Sequence, residues 1–123
     1  MSRDTTLPTS GSDLPVHIGS DQRADFAALP TERLRLVAFQ RLARLKKQLL
    51  YGKPLRDHPT MGDLSDCRKV FFDEAEDMPP RYRIVYRVLP DEAAPRSVDV
   101  LSIGRRAYAE AYVLAARRLG RMG

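Results

Sequence analysis

Residues 81–88 read RYRIVYRV, and their chemical character alternates along the chain. Successive side chains of a β-strand point to opposite faces, so this alternation predicts a strand with two different faces. One face carries Tyr82, Ile84, Tyr86 and Val88. The other carries Arg81, Arg83, Val85 and Arg87. Three guanidinium groups on one face repel each other, so the pattern favours an anionic partner such as nucleic acid.

Length and charge support one small domain with a basic end. A chain of 123 residues can build one modest core, and we expect a single domain at residues 15–123 after a polar, disordered tail at residues 1–14. Residues 1–80 carry twelve basic and twelve acidic side chains, whereas residues 81–123 carry nine basic and four acidic. This asymmetry favours a nucleic-acid or acidic-protein partner, although a solvated basic face is the simpler alternative.

Cysteine, histidine and apolar content exclude several classes of protein. Cys67 is the one cysteine, so no internal disulfide can form. His17 and His58 lack further ligands at metal-binding spacing, so we expect no metal and no cofactor. No apolar run approaches the roughly 20 residues that span a bilayer, and the first fifteen residues do not resemble a signal peptide. We therefore predict a cytoplasmic protein without a membrane partner.

Hydrophobic periodicity predicts the order of the elements. Strands are expected at residues 16–18, 67–73, 81–88 and 97–103, and helices at residues 20–29, 30–50 and 105–119. The second helix has an apolar stripe at helical spacing, formed by Leu34, Ala38, Leu42, Leu45 and Leu49. Gly104 is expected to break the last strand before the final helix. The predicted fold class is α+β: a small, largely antiparallel sheet with two N-terminal helices and a C-terminal helix, all packed on one side.

Two motifs in the last part of the chain carry a family resemblance. The first is aromatic-Arg-aliphatic-Val-Tyr at residues 82–86. The second is Gly104, Arg105 and Arg106, with Tyr112 six positions after the last arginine. In this order and spacing they resemble the RelE/ParE toxin superfamily, specifically its RelE branch. The resemblance covers most of residues 15–119 in element order and is sharpest at residues 66–119.

The resemblance implies a function, partners and a site. RelE-like proteins are toxins of type II toxin–antitoxin pairs that cleave mRNA in the ribosomal A site without a metal and so arrest translation. It therefore implies a cognate antitoxin and ribosome-bound mRNA as partners. By similarity, Arg83 and Arg106 stabilise the phosphate and its transition state, and Tyr112 stacks a base or transfers a proton. Further candidates for RNA binding on the same basic surface are Lys69, Arg81, Arg87 and Arg105.

The sequence departs from the RelE pattern at Phe71, where the family usually has a second lysine. Phenylalanine cannot carry charge or a proton, so two alternatives stay open: a ParE-like toxin that poisons DNA gyrase without nuclease activity, and an inactive RelE-fold RNA- or protein-binding module. The site residues also have ordinary structural interpretations. Arg83 could be a solvated strand residue, Arg106 a helix-start residue and Tyr112 a core tyrosine.

Overall fold

A computed structural model describes the backbone of Thr5–Thr6, residues 13–55 and residues 64–121, without the side chain of Tyr108. The elements are β1 (Thr5–Thr6), β2 (Val16–Ile18), α1 (Ser20–Ala27), α2 (Glu32–Lys46), β3 (Lys53–Pro54), β4 (Cys67–Phe72), β5 (Tyr82–Leu89), β6 (Ser97–Arg105), a 3-10 helix (Ala107–Ala109) and α3 (Glu110–Arg118). The strands form one sheet in the order β1-β2-β6-β5-β4-β3. All neighbouring strands are antiparallel except β2 and β6. The predicted α+β class is confirmed.

The predicted stripe places α2 on the core, but the helix is shorter than expected. Thr31 caps its start, because the Thr31 hydroxyl accepts a hydrogen bond of 3.1 Å from the Leu34 N–H. The buried part of the stripe is Leu34, Ala38, Leu42 and Leu45. Gln48 follows with a φ of 57°, in the left-handed region that ends helices. Leu49 therefore lies beyond the helix and is 67% exposed.

The helices pack on both faces of the sheet, so the prediction that all lie on one side is wrong. One core joins α2 to the apolar face of β5, which presents Tyr82, Ile84, Tyr86 and Val88 as predicted. A second core joins α3 to the opposite face, where Val85 contacts a set formed by Leu55, Leu64, Cys67, Leu101, Ala111, Ala115 and Ala116. The pattern of β5 predicted a single covered face. Val85, fully buried, is the residue that required cover on the other face.

A bulge in β6 lets this strand serve both cores. Val85 pairs with Ser102 and Tyr86 with Val100, which leaves Leu101 as an extra residue. Leu101 packs in the α3 core. Ser102 also faces α3, because its hydroxyl donates a 2.6 Å hydrogen bond to the carbonyl oxygen of Ala111. The bulge thereby ties α3 to the sheet.

Gly104 does not break β6, contrary to the prediction. The strand continues to Arg105, and α3 begins only at Glu110, after the 3-10 helix. A Cβ atom at position 104 would lie 3.3 Å from the Cα of Ala111. The glycine is therefore needed for the close approach of α3, and Arg106 lies in the connection rather than at the start of α3.

Helix α1 covers the edge of β6 that the short β2 leaves open. The Ile103 N–H donates to Asp25 at 3.0 Å, and Gln22 donates to the Leu101 carbonyl at 3.1 Å. Arg118 of α3 binds the same Asp25 carboxylate with both terminal nitrogens, at 2.6 and 2.9 Å. Side chains thus satisfy backbone groups that a neighbouring strand would otherwise pair.

Only part of the predicted tail, and only one of the two histidines considered as metal ligands, lies within the described residues. Thr5–Thr6 pairs with β2, and the Leu14 N–H donates to the Lys46 carbonyl at 2.8 Å. The rest of residues 1–12, and His58, lie outside the described residues, and the domain limits of 15–123 stay a prediction. Among the described residues no helix is long and apolar enough to cross a membrane, and no group of three potential metal ligands occurs.

Candidate active site

The site is built around Arg83 in the centre of the sheet. Arg83 lies opposite Phe71 on β4 and opposite Gly104 on β6. It is only 7% exposed, and its Nε and Nη1 atoms are buried without a hydrogen-bond partner among the described residues. The interpretation of Arg83 as a solvated strand residue is therefore wrong. Buried donors without acceptors are costly, and these two nitrogens are therefore available to an anion that reaches them.

Two aromatic rings contact this guanidinium. The Cζ atom of Arg83 lies 4.1 Å from the ring centroid of Phe71 and 5.8 Å from that of Tyr112. Such contacts stabilise a cation by about 0.5–2 kcal/mol and compensate part of its desolvation. Burial is the main cause of the lowered pKa of Arg83; Tyr112 opposes the effect, and Arg106 adds to it. The guanidinium nevertheless stays charged at neutral pH.

Tyr112 reaches the cluster from α3 and remains a neutral phenol. Burial raises the pKa of Tyr112, although the positive charges of Arg83 and Arg106 and a hydrogen bond with Arg83 act in the opposite direction. The hydroxyl therefore keeps its proton at neutral pH and can donate it to an anion. The side chain is half-buried and packs against the α3 core, as expected of a core tyrosine, while its role in the site stays a prediction.

Lys69 of β4 lies beside both rings. Its Nζ atom is 5.3 Å from the centroid of Phe71 and 5.7 Å from that of Tyr112. Burial lowers the pKa of Lys69, and the charges of Arg83, Lys53 and Arg106 lower it further. A lysine of lowered pKa exchanges its proton more readily near neutral pH than an ordinary lysine does.

Lys53 belongs to the same group and was missed in the sequence. It lies on β3, pairs with Lys69 across the strands, and its Nζ atom is 5.4 Å from the Phe71 ring centroid. A two-residue strand has no periodicity to detect. The Gly52-Lys53-Pro54 sequence, between the predicted helix at residues 30–50 and the predicted strand at residues 67–73, is typical of a helix stop and gives no signal of a strand.

Arg106 completes a set that we call the cation cluster: Lys53, Lys69, Arg83 and Arg106, with the rings of Phe71 and Tyr112. The backbone N–H of Arg106 donates to the Arg81 carbonyl at 2.7 Å, which fixes the connection after β6, while its side chain is exposed. Among the described residues, no carboxylate forms an ion pair with any of the four cations. The cluster thus presents concentrated positive charge suited to a phosphate.

Arg81 does not join this cluster. Its Nε atom donates to Asp73 at 2.8 Å, and its backbone N–H donates to the same carboxylate at 3.0 Å. The side chain of Asp73 is fully buried. The hydrogen bonds from Arg81 hold the pKa of Asp73 well below its usual range. The pair closes the β4–β5 loop.

Arg87 and Arg105 are also paired with acids. Arg87 lies 3.2 Å from Asp99, its cross-strand neighbour on β6, and Arg105 lies 2.9 Å from Glu110. The expectation of three mutually repelling arginines on one face of residues 81–88 is therefore wrong, because Arg81 and Arg87 are paired with acids. A role in RNA binding for these arginines and for Arg81 stays a prediction.

Cys67 is a buried structural residue. It is 1% exposed in the α3 core, and burial raises the pKa of its thiol to about 12. The thiol is therefore inert at neutral pH.

These elements define a known class of fold. A small mixed sheet with two N-terminal helices and a C-terminal helix is the fold that the RelE resemblance implies. The structure matches that of E. coli toxin RelE in the free state, determined for a mutant in which two arginines are replaced by alanine. The TM-score is 0.61. Sequence identity is 20%, and the match covers 89% of this chain and 99% of that chain. The predicted RelE-like fold is confirmed.

Comparison at the level of sequence adds no relative. The chain matches no protein-family model and no curated protein sequence. The likeness to RelE therefore establishes the fold, and function has to be argued from the cation cluster.

Proposed function

We propose that the protein is the toxin of a type II toxin–antitoxin pair and cleaves mRNA in the ribosomal A site without a metal ion. The observation that carries this proposal is Arg83, a buried guanidinium with two nitrogens that lack a partner, inside a cluster of cations with which no carboxylate of the described residues forms an ion pair. A phosphate diester would supply the acceptors that Arg83 lacks. The RelE-like fold adds support, since E. coli RelE is a toxin.

The reaction has three requirements. The 2′-hydroxyl must lose its proton as its oxygen bonds to the neighbouring phosphorus. The additional negative charge on the phosphorane oxygens must be stabilised. The bond from phosphorus to the 5′-oxygen then breaks, and that oxygen must receive a proton. Fixed cations aimed at the developing charge can lower the barrier by several kcal/mol.

The cation cluster meets these requirements. Arg83 donates hydrogen bonds to the phosphate from a fixed position. Its planar guanidinium group can bind two phosphate oxygens at once. The side chain of Arg106 is exposed, and it binds the phosphate from the solvent side of the cation cluster. Tyr112 keeps its proton at neutral pH and donates it to the leaving oxygen or stacks on a base. Lys69, whose lowered pKa makes its neutral form more accessible, takes the proton that the 2′-hydroxyl loses, and it can return that proton to the 5′-oxygen where Tyr112 stacks on a base.

The second proposed partner is an antitoxin protein, and the outer face of α2 supports it. Leu36 and Phe39 are 48% and 49% exposed on the face of α2 that points away from the core. Apolar side chains at this spacing suit an amphipathic segment of a protein partner. We propose that one segment of the antitoxin covers this face of α2, and that another segment places acidic residues over the cation cluster on the other face of the sheet.

The deciding experiment is mRNA cleavage on programmed ribosomes by the purified protein. Arg106→Ala is the sharpest variant, because the side chain is exposed and its loss leaves the core intact. We expect cuts in the A-site codon by the wild type and a rate about 10²–10³-fold lower in Arg106→Ala. Arg83→Ala should abolish cleavage. Arg96→Ala, which removes an exposed arginine after β5, is the matched control and should cleave normally.

Phe71 supports a second candidate function, the ParE-like poisoning of DNA gyrase, because the side chain supplies no second ammonium group on β4. Absence of cleavage by folded wild-type protein would contradict the nuclease proposal. Inhibition of gyrase in a supercoiling assay would then support the ParE-like function. A protein inactive in both assays would be an RNA- or protein-binding module of the same fold.

A further inference from the structure

We propose that Lys53 binds a phosphate of the RNA backbone and supplies, from β3, the ammonium group that Phe71 cannot supply on β4. The proposal rests on the proposed function for the identity of the anion. Its structural basis is independent: the Lys53 ammonium lies 5.4 Å from the centroid of the Phe71 ring. A cation is thus present beside position 71 although the residue at that position carries none.

The backbone around Lys53 is held in place from both sides. The Gly52 N–H donates to the hydroxyl of Tyr86 at 2.7 Å, and Arg68 donates to the Gly52 carbonyl at 2.7 Å. A Cβ atom at position 52 would lie 2.5 Å from the carbonyl oxygen of Lys69. This close approach requires glycine, and it sets Lys53 beside Lys69 in the sheet. Lys53 is therefore positioned by the fold rather than by a free loop.

The charges around Lys53 favour an anion. Among residues 13–55 and 64–121, no carboxylate forms an ion pair with Lys53, and the side chain is exposed to solvent. Its ammonium lies close enough to Lys69 to lower the pKa of that residue. Two ammonium groups side by side on β3 and β4 repel each other, and an anion bound between them removes this repulsion. Phosphate is the anion that RNA offers.

Burial distinguishes the role of Lys53 from that of Arg83. Arg83 is buried against Phe71 and can meet only a phosphate that enters the site, whereas Lys53 is exposed to solvent on β3, the edge strand of the sheet. Lys53 is thus placed to bind the RNA backbone where the RNA approaches the cation cluster. Loss of Lys53 should therefore weaken binding of RNA before any bond is broken.

The test measures binding of a short single-stranded oligonucleotide with 2′-O-methyl groups, which cannot be cleaved, over a range of salt concentrations. We expect Lys53→Gln to bind roughly threefold to tenfold more weakly at low salt, and the slope of log K against log salt to fall by about 0.7, as for one lost phosphate contact. Lys53→Arg keeps the charge and should restore both values. Lys47→Gln, at the end of α2 on the other face of the sheet, should bind as the wild type does.

Two outcomes would overturn the proposal: an unchanged affinity and slope in Lys53→Gln, or no binding of the oligonucleotide by the wild type. The result is separable from the nuclease proposal. A protein that fails to cleave mRNA but shows the Lys53 effect is an RNA-binding module in which Lys53 still contacts phosphate. If the wild type cleaves mRNA and the Lys53→Gln variant binds the oligonucleotide as tightly as the wild type does, the proposed function stands and Lys53 has no part in it.

Discussion

Phe71 of β4 lies directly opposite Arg83 of β5, with the Cζ atom of the guanidinium 4.1 Å from the ring centroid. The residue that departs from the RelE pattern is therefore the one whose ring lies nearer to the buried guanidinium than the ring of Tyr112 does. A lysine at this position would place another positive charge against a cation whose Nε and Nη1 atoms already lack hydrogen-bond partners among the described residues. The aromatic ring stabilises Arg83 instead, while Lys53 approaches the same ring from β3.

Replacement of Phe71 by lysine should therefore lower stability through repulsion. We expect Phe71→Lys to reduce the free energy of unfolding by roughly 1–2 kcal/mol at low salt, and part of this loss to vanish at 1 M salt, where charges more than about 3 Å apart are screened. Phe71→Met removes the ring without adding charge and is the control. Denaturant unfolding at both salt concentrations checks this, and an equal salt response of the two variants would contradict the argument.

The lowered pKa of Lys69 should depend on the neighbouring cations. Removal of Arg106 removes a positive charge that disfavours the protonated lysine, so Arg106→Ala should raise the pKa of Lys69 toward its ordinary value of about 10.4. Lys53→Gln should act in the same direction. NMR titration of the lysine side chains measures this directly, with Arg96→Ala as a control that should leave Lys69 unchanged.

The sign of the pH effect on stability follows from the same shift. Because the pKa of Lys69 is lower in the folded state, the unfolded chain binds more protons between the two pKa values, and this group makes the protein more stable as pH rises through that interval.

Asp73 should make stability sensitive to acid. Its pKa is lowered mainly by hydrogen bonds from Arg81, so its contribution is fully present above the unfolded value of about 3.9 and is lost as pH falls toward the lower folded value. Asp73→Asn should lower the midpoint of thermal unfolding at pH 7 and weaken its dependence on pH in the acid range. Asp77→Asn, at an exposed position of the same loop, should do neither. Thermal unfolding between pH 2 and pH 7 measures both variants.

The alternation of residues 81–88 predicted β5 correctly, and it placed Tyr82, Ile84, Tyr86 and Val88 on the core face because strand geometry alone determines that pattern. The grouping of Arg83, Arg106 and Tyr112 came from the RelE resemblance. The structure brings Arg83 and Tyr112 into contact, and Arg106 acts on the pKa of both. Features encoded within one segment of the chain, or in the spacing of a family motif, were therefore predictable from the sequence.

Features that depend on pairing between distant segments were not predictable. Lys53 joins the cluster only because β3 pairs with β4, and Arg87 is neutralised only because Asp99 lies opposite it on β6. The second core was missed for the same reason: the bulge at Leu101 turns β6 toward α3, and a bulge interrupts the alternation by which faces are assigned.

The close approach of α3 at Gly104 should control both stability and the site. A Cβ atom there would lie 3.3 Å from the backbone nitrogen and Cα of Ala111, so a larger side chain must push α3 away from β6. We expect Gly104→Val to lower the free energy of unfolding by about 1–3 kcal/mol, with Gly104→Ala less affected. Tyr112 follows Ala111 on α3, so Gly104→Val should also change the chemical shifts of Tyr112. Ala94→Val, in the exposed loop after β5, is the matched control. Denaturant unfolding together with NMR of the tyrosine ring measures both effects, and a Gly104→Val variant with wild-type stability and unchanged Tyr112 signals would show that α3 does not depend on this contact.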